Sequence, residues 1–282
     1  MNIFSIVEEL EKVDPELNDR FNPRRAAIKN ITSFGSKVAL AALPFAIGNL
    51  FNRAYGAAPT QGVIDVLNFA LKLEYLEAAF YNMGVSTGIA PSADAAAIAT
   101  IASHENAHVA FLKGALGSSA VAQTSQGTAG IYDFTAGNTL PNYFVTKDWA
   151  TFLTVANAFE DTGVRAYKGQ APNLMGSDYL QAALNIHSVE ARHASHIRFM
   201  RRKLAGGNTP KSWITGNNDT GFPGVANNYA GEDLTVQATV DITKLTGATA
   251  GSTISVNAAT EAFDEPLTMA QVVALVAPFG VK

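Results

Sequence analysis

Residues 101–108 read IASHENAH and residues 186–193 read IHSVEARH, so the motif Glu-x-x-His occurs twice in this chain of 282 residues. Each copy follows a second repeated stretch, LNFALKLE at residues 67–74 and LTVANAFE at residues 153–160, which ends in glutamate. The two halves of the chain therefore share one plan: a stretch that ends in Glu, and then a stretch that contains Glu-x-x-His. This internal duplication indicates that both halves build the same kind of structure.

The spacing within each motif brings polar side chains together if the stretches are helical. In an α-helix, residues three apart lie about 60° apart around the axis and one turn along it. Glu105 and His108 can therefore reach into the same volume, and so can Glu190 and His193.

A tyrosine follows the lone glutamate of each half. Tyr81 lies seven residues after Glu74, and Tyr167 lies seven residues after Glu160. Seven residues along a helix return to within about 20° of the same direction. The tyrosines therefore point to the side of the glutamates, and we expect them to donate hydrogen bonds to carboxylates there.

Apolar residues at helical spacing predict four long helices, at about residues 61–83, 92–116, 148–169 and 178–205. The connections within the first pair and within the second pair are short, whereas a long polar segment at residues 118–147 joins the two pairs. Two helical hairpins joined by one long crossover form a known class of four-helix bundle. The sequence therefore predicts an all-α core, a four-helix bundle at residues 61–206 with a long crossover between its second and third helices.

The segment after the bundle, residues 207–282, has a different character. It contains loop signals, an alternation at residues 233–245 that is typical of a strand, and an apolar stretch at residues 269–277 that predicts a helix. We expect this irregular, partly β C-terminal extension to pack on the bundle, with a small separate module as the alternative.

The N-terminal extension, residues 1–60, fits two hypotheses. Arg24 and Arg25 precede a short apolar run at residues 38–51, and small residues follow at 54–58, a pattern typical of a twin-arginine export signal. The alternative is a helical segment that stays on the mature protein. The protein would be periplasmic in the first case and cytoplasmic in the second. The apolar run is too short to be a transmembrane span in either case.

Composition excludes several kinds of site. The chain has no cysteine, which excludes disulfides, thiol catalysis and cysteine-bound zinc or iron–sulfur centres. Its net charge of -4 gives no reason to expect a nucleic-acid partner. Any metal ion must be held by His, Asp and Glu, a ligand set that suits iron, manganese or zinc.

A single Glu-x-x-His on a helix is usually a surface pair. Here, however, all five histidines of the chain lie on the two helices that carry the motif. Burying four carboxylates without a cation would cost a great deal of free energy. Two divalent metal ions would neutralise them, and the sequence therefore predicts a dinuclear metal site.

The order Glu, Glu-x-x-His, Glu, Glu-x-x-His on four successive helices resembles the dinuclear carboxylate proteins of the ferritin-like superfamily. Within it, the stretches LEYLEAAFY at 73–81, ENAH at 105–108 and FDEPL at 263–267 are similar to the bacterial ferritin-like domain family often described as desiccation-related. The resemblance covers residues 62–205 and, more loosely, the tail. It implies a centre of two iron ions or, alternatively, two manganese ions.

The resemblance also implies roles. The lone glutamate of each half would be a terminal ligand, the motif glutamate of each half would bridge the two metals, and each motif histidine would complete one metal. The corresponding residues are Glu74 and Glu160, Glu105 and Glu190, and His108 and His193.

Glu77 is the rival of Glu74 for the first terminal position, because it lies one turn further along the same helix. The duplication aligns Glu77 with Gly163, whereas it aligns Glu74 with Glu160. The repeat therefore favours Glu74.

The other histidines also have two interpretations. His104 lies one turn before His108, and His196 lies one turn after His193. Each of them fits one of two roles, a proton donor just outside the ligand set or an additional ligand. Ordinary polar positions on a partly exposed face are the more common alternative, and they apply to His187 as well.

Two functions fit this pattern. The first is an oxidoreductase that reacts with dioxygen or peroxide at its two metals, in a ferroxidase-, peroxidase- or catalase-like way, during oxidative or drying stress. The second is a structural or desiccation-stress protein that metals stabilise without turnover. The crossover and the tail either close solvent access to the site or form contacts in a homo-oligomer.

Overall fold

The structure is a computed structural model that describes residues 59–123, 132–219, 227–247, 249 and 251–281. It contains four long helices: α1, Gln61–Thr87; α2, Ser92–Leu116; α3, Trp149–Gln170; and α4, Leu180–Ala205. The predicted all-α core is confirmed. The helix bounds differ from the expected ones by only a few residues. The largest difference is at the C-terminal end of α1.

Local sequence sets the ends of the helices. The side chains of Thr60 and Asp148 accept hydrogen bonds from backbone N–H groups in the first turns of α1 and α3. The chain leaves α1 and α4 through Gly88 and Gly206 in the left-handed conformation, which glycine adopts without a steric penalty.

The helices form two hairpins, α1 with α2 and α3 with α4, which pack against each other. Residues 88–91 join the first pair, and residues 171–179, which include the 3-10 turn Ala171–Leu174, join the second. The long crossover at residues 117–148 connects the hairpins. This is the predicted connectivity, and it directs one face of each helix into a common interior.

The crossover closes one end of the bundle with aromatic side chains. Its one-turn helix Tyr143–Thr146 and the neighbouring Phe134 contribute buried rings that contact Phe80 of α1. Phe80 in turn stacks on Phe152 of α3, with ring centroids 4.6 Å apart. Aromatic rings therefore fill this end of the interior.

The C-terminal extension lies along α3. Its helices are α5, Val256–Thr260, and α6, Met269–Val276, and the side chain of Leu267 is buried in the bundle core. The backbone N of Leu267 donates to the carbonyl oxygen of Arg165 at 3.1 Å. A Cβ at Gly169 would lie only 1.9 Å from the carbonyl oxygen of Leu267, so this approach requires glycine.

A buried arginine ties the extension to α3. The Nε of Arg165 lies 2.7 Å from a carboxylate oxygen of Glu232 and donates to the carbonyl of Glu265 at 2.7 Å. Its two terminal nitrogens donate to the carbonyls of Asn228 and Ala230. Arg165 is 1% exposed, so the extension is joined to the bundle by a water-excluded ion pair.

A second buried cluster joins α3, α4 and the extension. Arg198 of α4 donates to Asp161 of α3 at 2.5 Å and also pairs with Asp219. The hydroxyl of Tyr229 donates to the same Asp161 at 2.6 Å.

The strand expected at residues 233–245 is much shorter in the structure. Two antiparallel strands of two residues each, β1, Val236–Gln237, and β2, Val240–Asp241, flank a turn at Ala238 and Thr239, both of which have positive φ. The apolar side chains of Val236 and Val240 are 53% and 45% exposed. The alternation therefore belongs to a hairpin on the surface. Its strands are short because their apolar side chains are not buried against another layer.

Further 3-10 turns in the described part of the chain include Gly117–Ser119, Gly216–Asn218, Ile242–Lys244 and Ala277–Phe279. None of the helices described combines the length and the apolar character that crossing a bilayer needs. The predicted N-terminal helix or export signal lies outside the described residues.

Candidate metal centre

Six polar side chains from the four helices meet in the interior of the bundle. Each helix supplies one glutamate, and α2 and α4 each add a histidine one turn further along. The four glutamates are 0% exposed, and the two histidines are 8% and 5% exposed. The six residues are Glu74, Glu105, His108, Glu160, Glu190 and His193. The structure thus brings together all six residues that the duplication pointed to.

These residues form two groups that share two members. Within each group, one ligand atom from every residue lies within 4.8 Å of the others. Glu105 and Glu190 belong to both groups. Glu74 and His108 complete the first group, and Glu160 and His193 complete the second. Glu105 and Glu190 are therefore the two carboxylates within reach of both groups.

Both imidazole rings turn the same nitrogen toward the carboxylates. The Nδ1 of His108 lies 3.1 Å from Glu74, 3.1 Å from Glu105 and 3.2 Å from Glu190. The Nδ1 of His193 lies 2.8 Å from the other oxygen of Glu105. Nδ1 is therefore the ligand atom that each histidine offers.

Several buried atoms of this cluster have no hydrogen-bond partner in the part of the chain that the structure describes. They are Glu105 Oε1, Glu160 Oε2, both carboxylate oxygens of Glu190, and His193 Nδ1. An unpartnered buried polar atom costs about 1–3 kcal/mol. Carboxylate oxygen and imidazole nitrogen are donors that iron and manganese accept. The residues therefore fit two divalent cations.

Burial and charge shift the pKa values of the cluster. Burial and the charge of Glu105 raise the pKa of Glu190 to about 8. Burial also favours the neutral form of Glu105, but the adjacent His108 and His193 outweigh it and lower its pKa to about 2. Burial opposes protonation of His193, yet the neighbouring carboxylates raise its pKa to about 11. Protons therefore balance the carboxylate charge when no metal does so.

Two tyrosines cross the bundle to the lone glutamates. Tyr81 of the first hairpin donates to Glu160 of the second, and Tyr167 of the second donates to Glu74 of the first at 2.5 Å. Each tyrosine therefore holds the glutamate of the other half. The helical repeat indicated only that tyrosine and glutamate share a side, because the pairing across hairpins depends on how the hairpins pack.

Glu77 is also buried, at 4% exposure, although among the described residues it belongs to neither ligand group. Burial and then the charge of Glu190 raise its pKa well above the usual value. A Cβ at Gly163 would lie 2.9 Å from Glu190 Oε2 and 3.4 Å from Glu77 Oε1. Gly163 therefore makes room for an additional carboxylate beside the cluster. In the sequence, the signal for this additional carboxylate is the alignment of Glu77 with Gly163. That alignment by itself indicates only that Glu74 is the repeated glutamate.

The structure separates the other three histidines. His104 is exposed, and its Nδ1 lies 2.9 Å from Nε2 of the candidate ligand His193, with the two rings stacked. His187 faces the carbonyl of Val164 at 3.0 Å. His196 is exposed on α4 and stacks on Phe199. Only His104 of these three contacts a candidate ligand among the described residues.

A comparison with protein-family models finds that the ferritin-like domain matches residues 62–203, a range that runs from the start of α1 almost to the end of α4. A search among curated proteins found no match, and neither did a search among solved structures.

Proposed function

The chain belongs to the ferritin-like domain family, and from this we propose that it is a dinuclear metal carboxylate protein that reacts with dioxygen or peroxide. The observation that carries the proposal is the pair of ligand groups that share Glu105 and Glu190. Two histidine-containing groups with two common carboxylates favour two ions held side by side. Two adjacent redox metals supply together the electrons that reduction of such an oxidant consumes.

The six residues divide into three roles in this proposal. The shared glutamates would contribute to both ions, and each lone glutamate and each histidine, through its Nδ1, would hold one ion. In the same order, these are Glu105 and Glu190, Glu74 and Glu160, and His108 and His193. Four carboxylates carry the negative charge that two divalent ions neutralise.

Neighbouring side chains orient these ligands. With Nδ1 on a metal, the Nε2 of His193 carries the proton and donates to Nδ1 of His104, a hydrogen bond that fixes the ring and its tautomer. The hydroxyls of Tyr81 and Tyr167 hold one oxygen of each lone glutamate. The carboxylates are fully buried, so the protein keeps bulk water away from the ions.

Iron is our first assignment for both ions and manganese the second, because an all-oxygen-and-nitrogen ligand set suits both metals. We place the chemistry in protection against oxidative or drying stress, a role supported by the sequence resemblance. Peroxidase-like, catalase-like and ferroxidase-like reactions all fit such a site.

Metal analysis tests the proposal directly. Protein purified without added metal should contain close to two transition-metal ions per chain, and anomalous scattering at the iron and manganese edges should place them between the four helices. The substitution Glu190→Gln removes one bridging charge and should lower the metal content. The matched variant Glu77→Gln removes a buried carboxylate outside the ligand groups and should retain both ions. Protein without transition metal, or equal metal content in Glu190→Gln, would overturn the assignment.

A metal-stabilised structural protein is the second candidate, favoured by the buried Arg165–Glu232 ion pair that joins the extension to the bundle. In this case, removal of the metals lowers the melting temperature, while the reduced, metal-loaded protein gives no spectral change with dioxygen or with peroxide. A stopped-flow change with either oxidant would exclude this second function.

A further inference from the structure

An apolar cavity lies inside the bundle near the candidate metal centre. Its volume is about 10 Å³, which is close to the least space that one water-sized molecule needs. Side chains from all four helices line it, and most of them are hydrocarbon. The residues that matter below are Val66, Ala70, Leu112, Ala166, Tyr167 and Ala183. All six are buried, so the cavity belongs to the interior.

The cavity continues the metal centre along the bundle axis. Ala70 lies four residues before Glu74 on α1, and Leu112 lies four residues after His108 on α2, so each stands about one helical turn from a candidate ligand. Tyr167 lines the cavity, and its hydroxyl donates to Glu74 at 2.5 Å. The cavity therefore adjoins the ion that Glu74 and His108 would hold.

The duplication explains why the space exists at this end of the bundle. It aligns the cavity residues Ala166 and Val66 with Phe80 and Phe152 of the other half. Those two phenylalanines are 0% exposed and stack with centroids 4.6 Å apart. Where one half places two packed rings, the other half places a methyl and an isopropyl group.

One further position differs in the same direction. Ala183, which lines the cavity, aligns with the buried Ile98. At the filled end, a Cβ on Gly84 would lie 2.9 Å from the ring of Phe152, so glycine there gives space to the ring. At these three aligned pairs the filled half thus carries the larger side chain.

The polarity of the residues that line the cavity determines which kind of molecule it can bind. A buried water needs about two to four polar partners. Among the described residues that line the cavity, two have polar side chains, and both have partners: Tyr167 donates to Glu74, and Gln170 accepts from Asn173 at 2.9 Å. Hydrogen peroxide, like water, would lose its hydrogen bonds on entry, whereas a small apolar molecule loses none.

We propose that this cavity binds dioxygen beside the metal centre, and that it thereby favours dioxygen over peroxide as the oxidant of this protein. The inference rests on the proposed dinuclear redox function for its choice of ligand. The existence of a gas-binding site does not depend on that function, so the two claims can fail separately.

Xenon is the probe, because apolar cavities bind it without any redox chemistry. Crystals of the full chain pressurised with xenon should give an anomalous peak between Ala70, Leu112 and Tyr167. The variant Ala166→Phe copies the filled half of the repeat and should lose this peak. Ala183→Ile is a milder filling variant and should weaken the peak. Ala150→Phe places the same ring at an exposed position of α3 and should keep it.

Kinetics of the metal-loaded protein complete the test. Stopped-flow oxidation of the reduced protein by dioxygen should be slower in Ala166→Phe and in Ala183→Ile than in the wild type. Oxidation by peroxide, which bypasses the cavity, should be unchanged. Circular dichroism and metal content identify any variant that fails to fold, and Ala183→Ile then carries the comparison.

The absence of a xenon peak in the wild type would overturn the cavity proposal. So would equal rates with dioxygen in the wild type and both filling variants. Absence of transition metal from protein that still binds xenon would instead overturn the proposed function, and with it the assignment of dioxygen as oxidant.

Discussion

Tyr81 and Tyr167 each contact a glutamate of the other hairpin, so one prediction can be tested separately at each ligand group. Tyr167 donates to Glu74, which belongs only to the first ligand group, and Tyr81 donates to Glu160, which belongs only to the second. Replacing either tyrosine by phenylalanine deletes one hydroxyl and keeps the ring. The substitution Tyr167→Phe should therefore weaken the ion of the first group, and Tyr81→Phe the ion of the second.

The size of the effect follows from what the hydroxyl does. A hydrogen bond to a charged group contributes about 1.5–3 kcal/mol. Loss of a residue that orients a metal ligand typically lowers metal affinity about 10–100-fold, which corresponds to about 1.4–2.7 kcal/mol. The two estimates agree, so each variant should bind one of its ions about 10–100-fold more weakly.

Competition with a chromophoric chelator measures both affinities, and anomalous difference maps identify which ion has lost occupancy. Tyr229→Phe is the control, because Tyr229 is equally buried but bonds Asp161 rather than a candidate ligand. If Tyr167→Phe and Tyr81→Phe deplete the same ion, or if both retain wild-type affinity, the assignment of one tyrosine to each ion is wrong.

Three further predictions concern the extension and the protons of the cluster. Arg165→Met should lower the free energy of unfolding by about 3–5 kcal/mol in a guanidinium titration, because it strands a buried carboxylate, whereas the exposed Arg192→Met should change it by less than about 0.5 kcal/mol; similar values for both would contradict a buried ion pair. Gly169→Ala should loosen the extension and expose it to limited proteolysis, because its Cβ would meet a backbone carbonyl at 1.9 Å; an unchanged cleavage pattern would refute this contact. Metal binding at pH 7 should release protons, because metal-free Glu190 and His193 have pKa values of about 8 and 11 and ligands must be deprotonated. Metal affinity should therefore rise with pH, and calorimetry in buffers of different ionisation enthalpy should give different apparent heats.

The helices and the six polar residues could be read from the sequence because both depend on local periodicity. Helical spacing sets which side chains share a face, and the repeat of Glu74 at Glu160 removed the ambiguity with Glu77. A second copy of the same pattern thus replaces the information that an alignment of relatives would give. The structure brings these residues together for the same reason, since each helix carries its ligand on the face that its apolar residues bury.

The extension could not be derived in the same way. Arg165 contacts Glu232 and Glu265, which are 67 and 100 positions away, and no local pattern encodes such pairings. The alternation at residues 233–245 resembles that of a strand, but strand length depends on whether a partner and a covering layer exist. Val236 and Val240 lie on strands that pair with each other, but their side chains are exposed, so no layer covers them.

The duplication also locates where the two halves have diverged. The candidate ligands are repeated, as two similar ions would require, while residues that differ lie directly beside them. Glu77 faces Gly163, and Phe80 of one half stands where Ala166 of the other leaves space. Each difference makes one ion's surroundings unlike the other's, with an extra carboxylate on one side of the cluster and an apolar cavity at one end. Dioxygen that enters from the cavity would reach the ion of Glu74 and His108 first. The two ions should therefore differ in reactivity even though their ligands are the same.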